Sequence, residues 1–187
     1  MLLRAVFVTL MLLGLAACAS MSAPETYYPN IRKSQLTYEK LSITLFGDDG
    51  PKGYKDEKID DLTYNVFARG TEVSSMETAS NVAFLRVARL GEELGQESFL
   101  ILDTLSLVYC YRPPASAFVA YPMPTFQYTV RYGSIEELTG WLDDRKPETP
   151  PISVALTIEQ MTPIVSSPDN SAGTLDSNFK KNWAVCN

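Results

Sequence analysis

Three side-chain types in this chain could do chemistry: cysteine thiols, carboxylates and arginine. Histidine is absent. That absence excludes Ser-His-Asp and Cys-His catalysis and the usual zinc sites. The cysteines are Cys18, Cys110 and Cys186. None lies in a Cys-x-x-Cys arrangement, so thiol exchange is not expected of them. Carboxylates occur as neighbours in Asp60-Asp61, Glu92-Glu93, Glu136-Glu137 and Asp143-Asp144. Adjacent residues on a strand point to opposite faces, so an acid–base pair would need carboxylates brought together from distant segments. No glycine-rich phosphate loop is present. The expectation is a chain with no catalytic residue, no metal site and no cofactor.

Cys18 is different from the other two. It follows Met1-Leu2-Leu3-Arg4, an apolar run from Ala5 to Leu15, and the small pair Ala16-Ala17. One positive charge, a short apolar segment and small residues before a cut site make up a secretory signal. The run is shorter than the roughly 20 apolar residues a membrane-spanning helix needs. Leu15-Ala16-Ala17-Cys18 resembles the bacterial lipobox. That resemblance implies removal of residues 1–17 and fatty acylation of the Cys18 sulfur. A single acyl chain anchors only marginally, but lipoproteins of this type carry two or three, which anchor stably. Ala19 after the cysteine resembles the outer-membrane sorting pattern. The expected location is therefore the cell envelope, lipid-anchored and facing the periplasm from the outer membrane.

With Cys18 acylated, Cys110 and Cys186 remain in an oxidising compartment, where an intrachain disulfide is the simplest pairing. It would close a loop of about 76 residues and stabilise by roughly 4–5 kcal/mol on a chain-entropy model. Two free thiols are the alternative, because sequence does not give their distance. The net charge of −6, or −7 once Arg4 leaves with the signal, argues against nucleic acid, which needs a basic patch. It also leaves lipid rather than charge to hold the membrane.

The elements that position these groups come next. Residues 18–33 read as a lipidated terminus and a Ser/Ala/Pro-containing tether, and 34–187 as one α+β domain. Leu41, Ile43 and Leu45 alternate, suggesting a first strand within Gln35–Phe46. A solvated acidic loop follows, holding Asp48, Asp49, Asp56, Glu57, Asp60 and Asp61 without the ligand spacing of a calcium loop. Leu62, Tyr64, Val66 and Ala68 predict a second strand. Ser74 and Glu77 have capping-box spacing. Ala79, Val82, Ala83, Val87, Leu90 and Leu94 then predict one face of the main amphipathic helix, ended by Gly95.

Ser98 to Tyr111 is apolar on both sides. Phe99, Ile101, Leu105, Leu107 and Tyr109 are expected to share one face, and Leu100, Leu102 and Val108 the other. This suggests a central strand, reached by a crossover between parallel neighbours. The expected architecture is a mixed sheet of about five strands with the helix on one face in a strand–helix–strand unit, plus short C-terminal helices.

The block from Gly53 to Asp103 resembles an uncharacterised family of small proteobacterial envelope lipoproteins, which also begin with a lipobox. The resemblance rests on Gly53-Tyr54, Ile59-Asp60, Tyr64-x-Val66, Gly70, Glu77-Thr78, Leu85-Arg86, Ala88, Leu90, Gly95 and Phe99-x-Ile101. It covers under a third of the chain. It implies an envelope location and a compact strand–helix–strand core, and no catalytic residues. Arg89, where members often carry an acidic residue, and Gly91, inside the helix, depart from the pattern. Arg86 is expected to pair with a carboxylate such as Glu93 or Asp103, or to be solvated, rather than to bind a ligand.

Arg112 to Phe126, with Pro113, Pro114, Pro122 and Pro124, is expected to be a loop, because proline lacks the donor a sheet requires. Pro113, Pro114, Phe118, Tyr121 and Met123 are its candidate partner contacts; folding of Phe118 and Tyr121 onto the core is the alternative. A strand over Gln127–Tyr132 follows. A short helix begins at Ser134 and Glu137, with Ile135, Leu138 and Leu142 inward. Ile152, Val154, Leu156 and Ile158 alternate and predict a half-buried strand. Met161 to Gly173 reads as irregular. Leu175, Phe179 and Trp183 predict a terminal helix that brings Cys186 back to the domain. The expected function is a non-enzymatic envelope lipoprotein, binding or structural, that contacts the membrane through lipid and another envelope protein through the proline-rich loop or a sheet edge. A carboxylate-dependent cell-wall carbohydrate enzyme, or a small-ligand or lipid binder with an apolar pocket between helix and sheet, are the alternatives.

Overall fold

The computed structural model describes residues 34–41, 52–112, 120–143 and 150–186. Cys18, Pro113, Pro114, Phe118, Asp48, Asp49 and residues 42–46 of the expected first strand lie outside them. The elements are β1 (Gly53–Lys58), β2 (Thr63–Arg69), α1 (Met76–Glu93), β3 (Ser98–Tyr111), β4 (Tyr121–Gly133), α2 (Ile135–Asp143), β5 (Ile152–Ser153), α3 (Val154–Ser166) and α4 (Ala172–Cys186). The fold is α+β: one five-stranded sheet in the order β1-β2-β4-β3-β5, with α1 packed on one face. Among the described residues no helix is long and apolar enough to cross a membrane.

All four strand pairs are antiparallel, so the sheet is not mixed between its strands. A parallel bridge, Lys40 to Tyr54, lies at the β1 edge. The strands flanking α1 do run the same way, but they are not neighbours. β4 lies between them, paired antiparallel to both. A crossover between adjacent parallel strands was the wrong geometry, because β3 pairs first with the strand that follows it.

Helix α1 is held at both ends by local chemistry. Its N-cap is Ser75, whose Oγ accepts from Thr78 N at 2.9 Å. Ser74, the expected cap, is buried and already accepts from Leu36 N and Thr71 N. Gly95, at φ +68°, ends the helix with a paired closure: Gln96 N donates to Gly91 O, and Gly95 N to Glu92 O. Ala79, Val82, Ala83, Val87 and Leu90 are buried as expected, and so are Leu85, Arg86, Ala88 and Gly91. The buried arc is wide because α1 has the sheet on one side and α3 on another. At Gly91 these layers approach closely. A Cβ there would lie 2.7 Å from Val154 Cγ2 and 3.0 Å from the Tyr132 ring.

Three further expectations are corrected. The strand expected over 152–158 is only Ile152–Ser153; helix α3 starts at Val154, and its N-cap Ser153 accepts from Leu156 N. Val154, Ile158, Met161 and Val165 also fit a helical spacing, and they are the residues that reach the core, while Leu156 is exposed. The stretch through Ser166 is therefore helix, not irregular chain. Second, Gly53–Lys58, expected as acidic loop, is an edge strand paired with β2. Third, Tyr121–Phe126 is strand, not loop. Gly70 N donates to Pro124 O at 2.7 Å, just past the end of β2. A residue's N–H and C=O point to the same side of a strand. The missing donor of Pro124 therefore faces the side where β2 has stopped.

The C-terminal helix behaves as its spacing predicts. Phe179 and Trp183 are buried against Val73, with ring centroids 5.3 Å apart. Asn178 donates to Val73 O, and Asn182 to Glu72 O and Ser74 O, which fixes the turn before α1. The Cys110–Cys186 disulfide then ties the end of α4 to β3, with Cα atoms 5.6 Å apart.

Candidate functional site

The candidate site arises from one irregularity in β3. Up to Ile101, β3 pairs in step with β4, and Phe99 and Ile101 face α1 beside Tyr132 and Val130. A bulge between Ile101 and Asp103 then shifts the register. Beyond it, Thr104, Ser106, Val108 and Cys110 take the α1 side. Leu105, Leu107 and Tyr109 take the other side, opposite Gln127, Thr125 and Met123. These three apolar residues, expected alongside Phe99 and Ile101, are instead 49%, 40% and 40% exposed on the sheet face away from α1.

On that face the residues form rows across three strands. Arg69 of β2, Thr125 of β4 and Leu107 of β3 make one row, and Phe67, Gln127 and Leu105 the next. Together with Tyr109 they enclose an open hollow of about 190 Å³. Thr125 and Gln127 form its floor. Arg69 reaches across that floor, donating from Nε to Thr125 Oγ1 at 3.4 Å. Its guanidinium carbon lies 4.1 Å from the Tyr109 ring centroid and 5.9 Å from that of Phe67. No carboxylate among the described residues pairs with it. Burial pulls the Arg69 pKa down, opposed by Tyr109, but arginine starts so high that it stays cationic at neutral pH.

The outer edge of β3 is also open. β5 pairs only with Ser98 and Phe99. From Leu100 to Tyr111 that edge meets no strand among the described residues, so β3 is not a central strand along most of its length. The two sheet edges are managed differently. β1 reads Lys55-Asp56-Glu57-Lys58 and has residues 39–41 bonded along it, through Leu41 N to Tyr54 O and Tyr54 N to Glu39 O. β3 from Thr104 to Tyr111 carries no charge. A long uncharged edge is a template for another strand.

Tyr121 and Met123 are 8% and 0% exposed, on β4, and so are core residues rather than contact surface. Tyr121 is buried, while Phe118, which the alternative reading pairs with it, lies outside the described residues. Ile135, expected inward, is exposed, while Leu138 is buried. Ser134 and Glu137 do form a reciprocal capping box: Ser134 N donates to Glu137 Oε2 at 2.9 Å, and Glu137 N to Ser134 Oγ at 3.2 Å.

Arg86 is a second cluster, and it pairs with Glu93 as expected, with Asp56 in the place given to Asp103. Its Nε donates to both Asp56 oxygens at 3.0 Å and its Nη2 to Asp56 Oδ2 at 2.6 Å. Nη1 and Nη2 reach Glu93 at 2.5 and 2.9 Å. The guanidinium sits 5.0 Å from the Tyr54 ring. Burial opposes its charge, but the bonds to Glu93, Asp56 and Tyr38 outweigh burial and hold its pKa up. The bond from Arg86 holds Glu93 below the usual carboxylate range. Through these bonds the Asp56–Arg86–Glu93 group clamps the edge strand β1 to α1. The neighbouring carboxylate pairs also have structural tasks. Asp60 caps the β1–β2 turn at Leu62 N, Asp61 pairs with Lys58, and Glu92 pairs with Arg89.

A further cleft of about 390 Å³ lies where α1 begins and the α3–α4 turn passes. Gln35 crosses it, accepting from Ser75 N and Thr78 Oγ1 and donating to Asp169 O. These bonds join the start of α1 to the α3–α4 turn. Between α1 and the sheet, Val82, Val87, Phe99, Val130 and Tyr132 are fully buried and packed together.

No family model, curated protein or solved structure matches this chain.

Proposed function

We propose that this chain is a lipid-anchored protein of the cell envelope, on the periplasmic side of the outer membrane, whose domain binds or braces another envelope protein and catalyses no reaction. The observation that carries the reading is Leu15-Ala16-Ala17-Cys18, an apolar signal ending in an acylatable cysteine. The resemblance to small envelope lipoproteins, resting on the residues quoted for it, points the same way. The disulfide suits an oxidising compartment. The contact surface is the open edge of β3, where a partner strand would gain main-chain hydrogen bonds. Of the five candidates in the proline-rich segment, Tyr121 and Met123 are buried, and Pro113, Pro114 and Phe118 lie outside the described residues.

Two measurements test this. Radiolabelled palmitate should enter the wild-type protein and not Cys18→Ser, and only the wild type should sediment with envelopes. A photo-crosslinker at Ser106 on the open edge should capture one defined envelope protein, whereas the same group at Lys55 on the covered edge should not. Unlabelled wild type would remove the anchor; equal capture from both edges would remove the contact surface.

A further inference from the structure

We propose that the hollow bounded by Arg69, Phe67, Leu105, Leu107 and Tyr109 binds a medium-chain alkyl carboxylate, with its head on Arg69 and its chain along the floor of β4. The hollow offers charge complementarity in an apolar setting. Arg69 is the cation of this hollow, and its Nη donors meet no acceptor among the described residues. Tyr109 stacks on the guanidinium and Thr125 takes Nε, so the side chain is already held in one place. A stacked guanidinium with free Nη edges matches a carboxylate, which accepts two parallel hydrogen bonds. The protein is acidic overall, so its general field does not draw anions; recognition must come from this local arrangement.

The walls set the rest of the ligand. Phe67 and Leu105 extend the hollow away from Arg69 along β4, over Gln127. The next row is polar, with Asn65, Thr129 and Asp103, so the apolar track is short. A volume of about 190 Å³ falls below the roughly 300–1,000 Å³ of pockets for drug-sized ligands. Both facts fit a short chain rather than a diacyl lipid. A strand added at the β3 edge would lie beside β3, while the hollow lies over β4, so the two surfaces can be occupied independently. Binding in the hollow needs neither the anchor nor the protein partner.

The test is a titration of the purified full chain with sodium octanoate, 1-octanol and octylammonium, followed by calorimetry and by backbone NMR shifts. Octanoate should bind with shifts centred on Phe67, Arg69, Leu105 and Thr125, and octanol at least about tenfold more weakly, the loss of a charge-assisted bond. Arg69→Gln should lose the same factor, Arg69→Lys should fall between, and Leu107→Asp should abolish binding while circular dichroism stays unchanged. Cys18→Ser should bind as wild type does. Equal binding of octanoate and octanol, unchanged affinity in Arg69→Gln, or no saturable binding would each overturn the proposal. So would Arg69-dependent binding to phosphatidylglycerol vesicles without binding of octanoate.

Discussion

Asp56 on the edge strand β1 and Arg86 in the middle of α1 meet at 2.6 Å, in a bond that joins the rim of the sheet to its central helix. Arg86 is buried, Asp56 half-buried and Glu93 exposed. Arg86→Ala should therefore leave Asp56 without its partner and lower the unfolding free energy by about 2–4 kcal/mol, measured in urea. Glu93→Gln touches only the exposed arm and should cost below about 1 kcal/mol. Equal losses from the two variants would contradict the clamp.

Stability should fall at both ends of the pH scale. Glu93 is held low by Arg86, so its contribution is complete above its unfolded value and lost as pH falls through the depressed folded one. Tyr38 is pushed up by burial to about 12 from 10.0. The unfolded chain therefore loses that proton first, and stability should decline as pH rises from 10 towards 12. Burial raises Tyr128 and Tyr132 as well, which adds to the alkaline loss. Urea midpoints at intervals from pH 3 to 11.5 check both limbs, and Arg86→Ala should shrink the acidic one.

Two helical glycines should respond with opposite signs. Gly140 in α2 has open space around its Cβ position, so Gly140→Ala should stabilise by about 0.5–1 kcal/mol. Gly91→Ala gains the same propensity but drives a methyl into Val154 and Tyr132, with a net loss of about 1–3 kcal/mol. Thermal melts of the pair provide an internal control.

Removing the Cys110–Cys186 bond should cost about 2–5 kcal/mol. In Cys186→Ser, amide exchange should speed up first in α4 and in the turn at Glu72–Ser74 that Asn182 holds. A uniform change across the sheet would show that α4 is not a separable unit.

Much of this fold is legible where one period has no competitor. Tyr64, Val66 and Ala68 on β2, the face of α1, and Phe179 and Trp183 on α4 all lie where their spacing puts them. Elsewhere two readings compete. Ile152 to Ile158 alternates but also fits a helix, and a core contact for Met161 and Val165 decides it. The charges of β1 conceal a strand because an edge tolerates them. Pro122 and Pro124 conceal another because their lost donors face away from β3. The hollow was least visible. A bulged residue inverts every side chain after it, and no residue type in Phe99–Tyr109 marks where that happens.

The placement of β4 also sets an order of assembly. β2 and β3 cannot touch each other, and each depends on a strand translated after both of them. A nascent chain that ends before Tyr121 therefore has its main helix and a charged hairpin but no sheet to close over them. Its apolar surfaces stay open until the middle strand emerges, and the second side of α1 is covered only once α3 has followed.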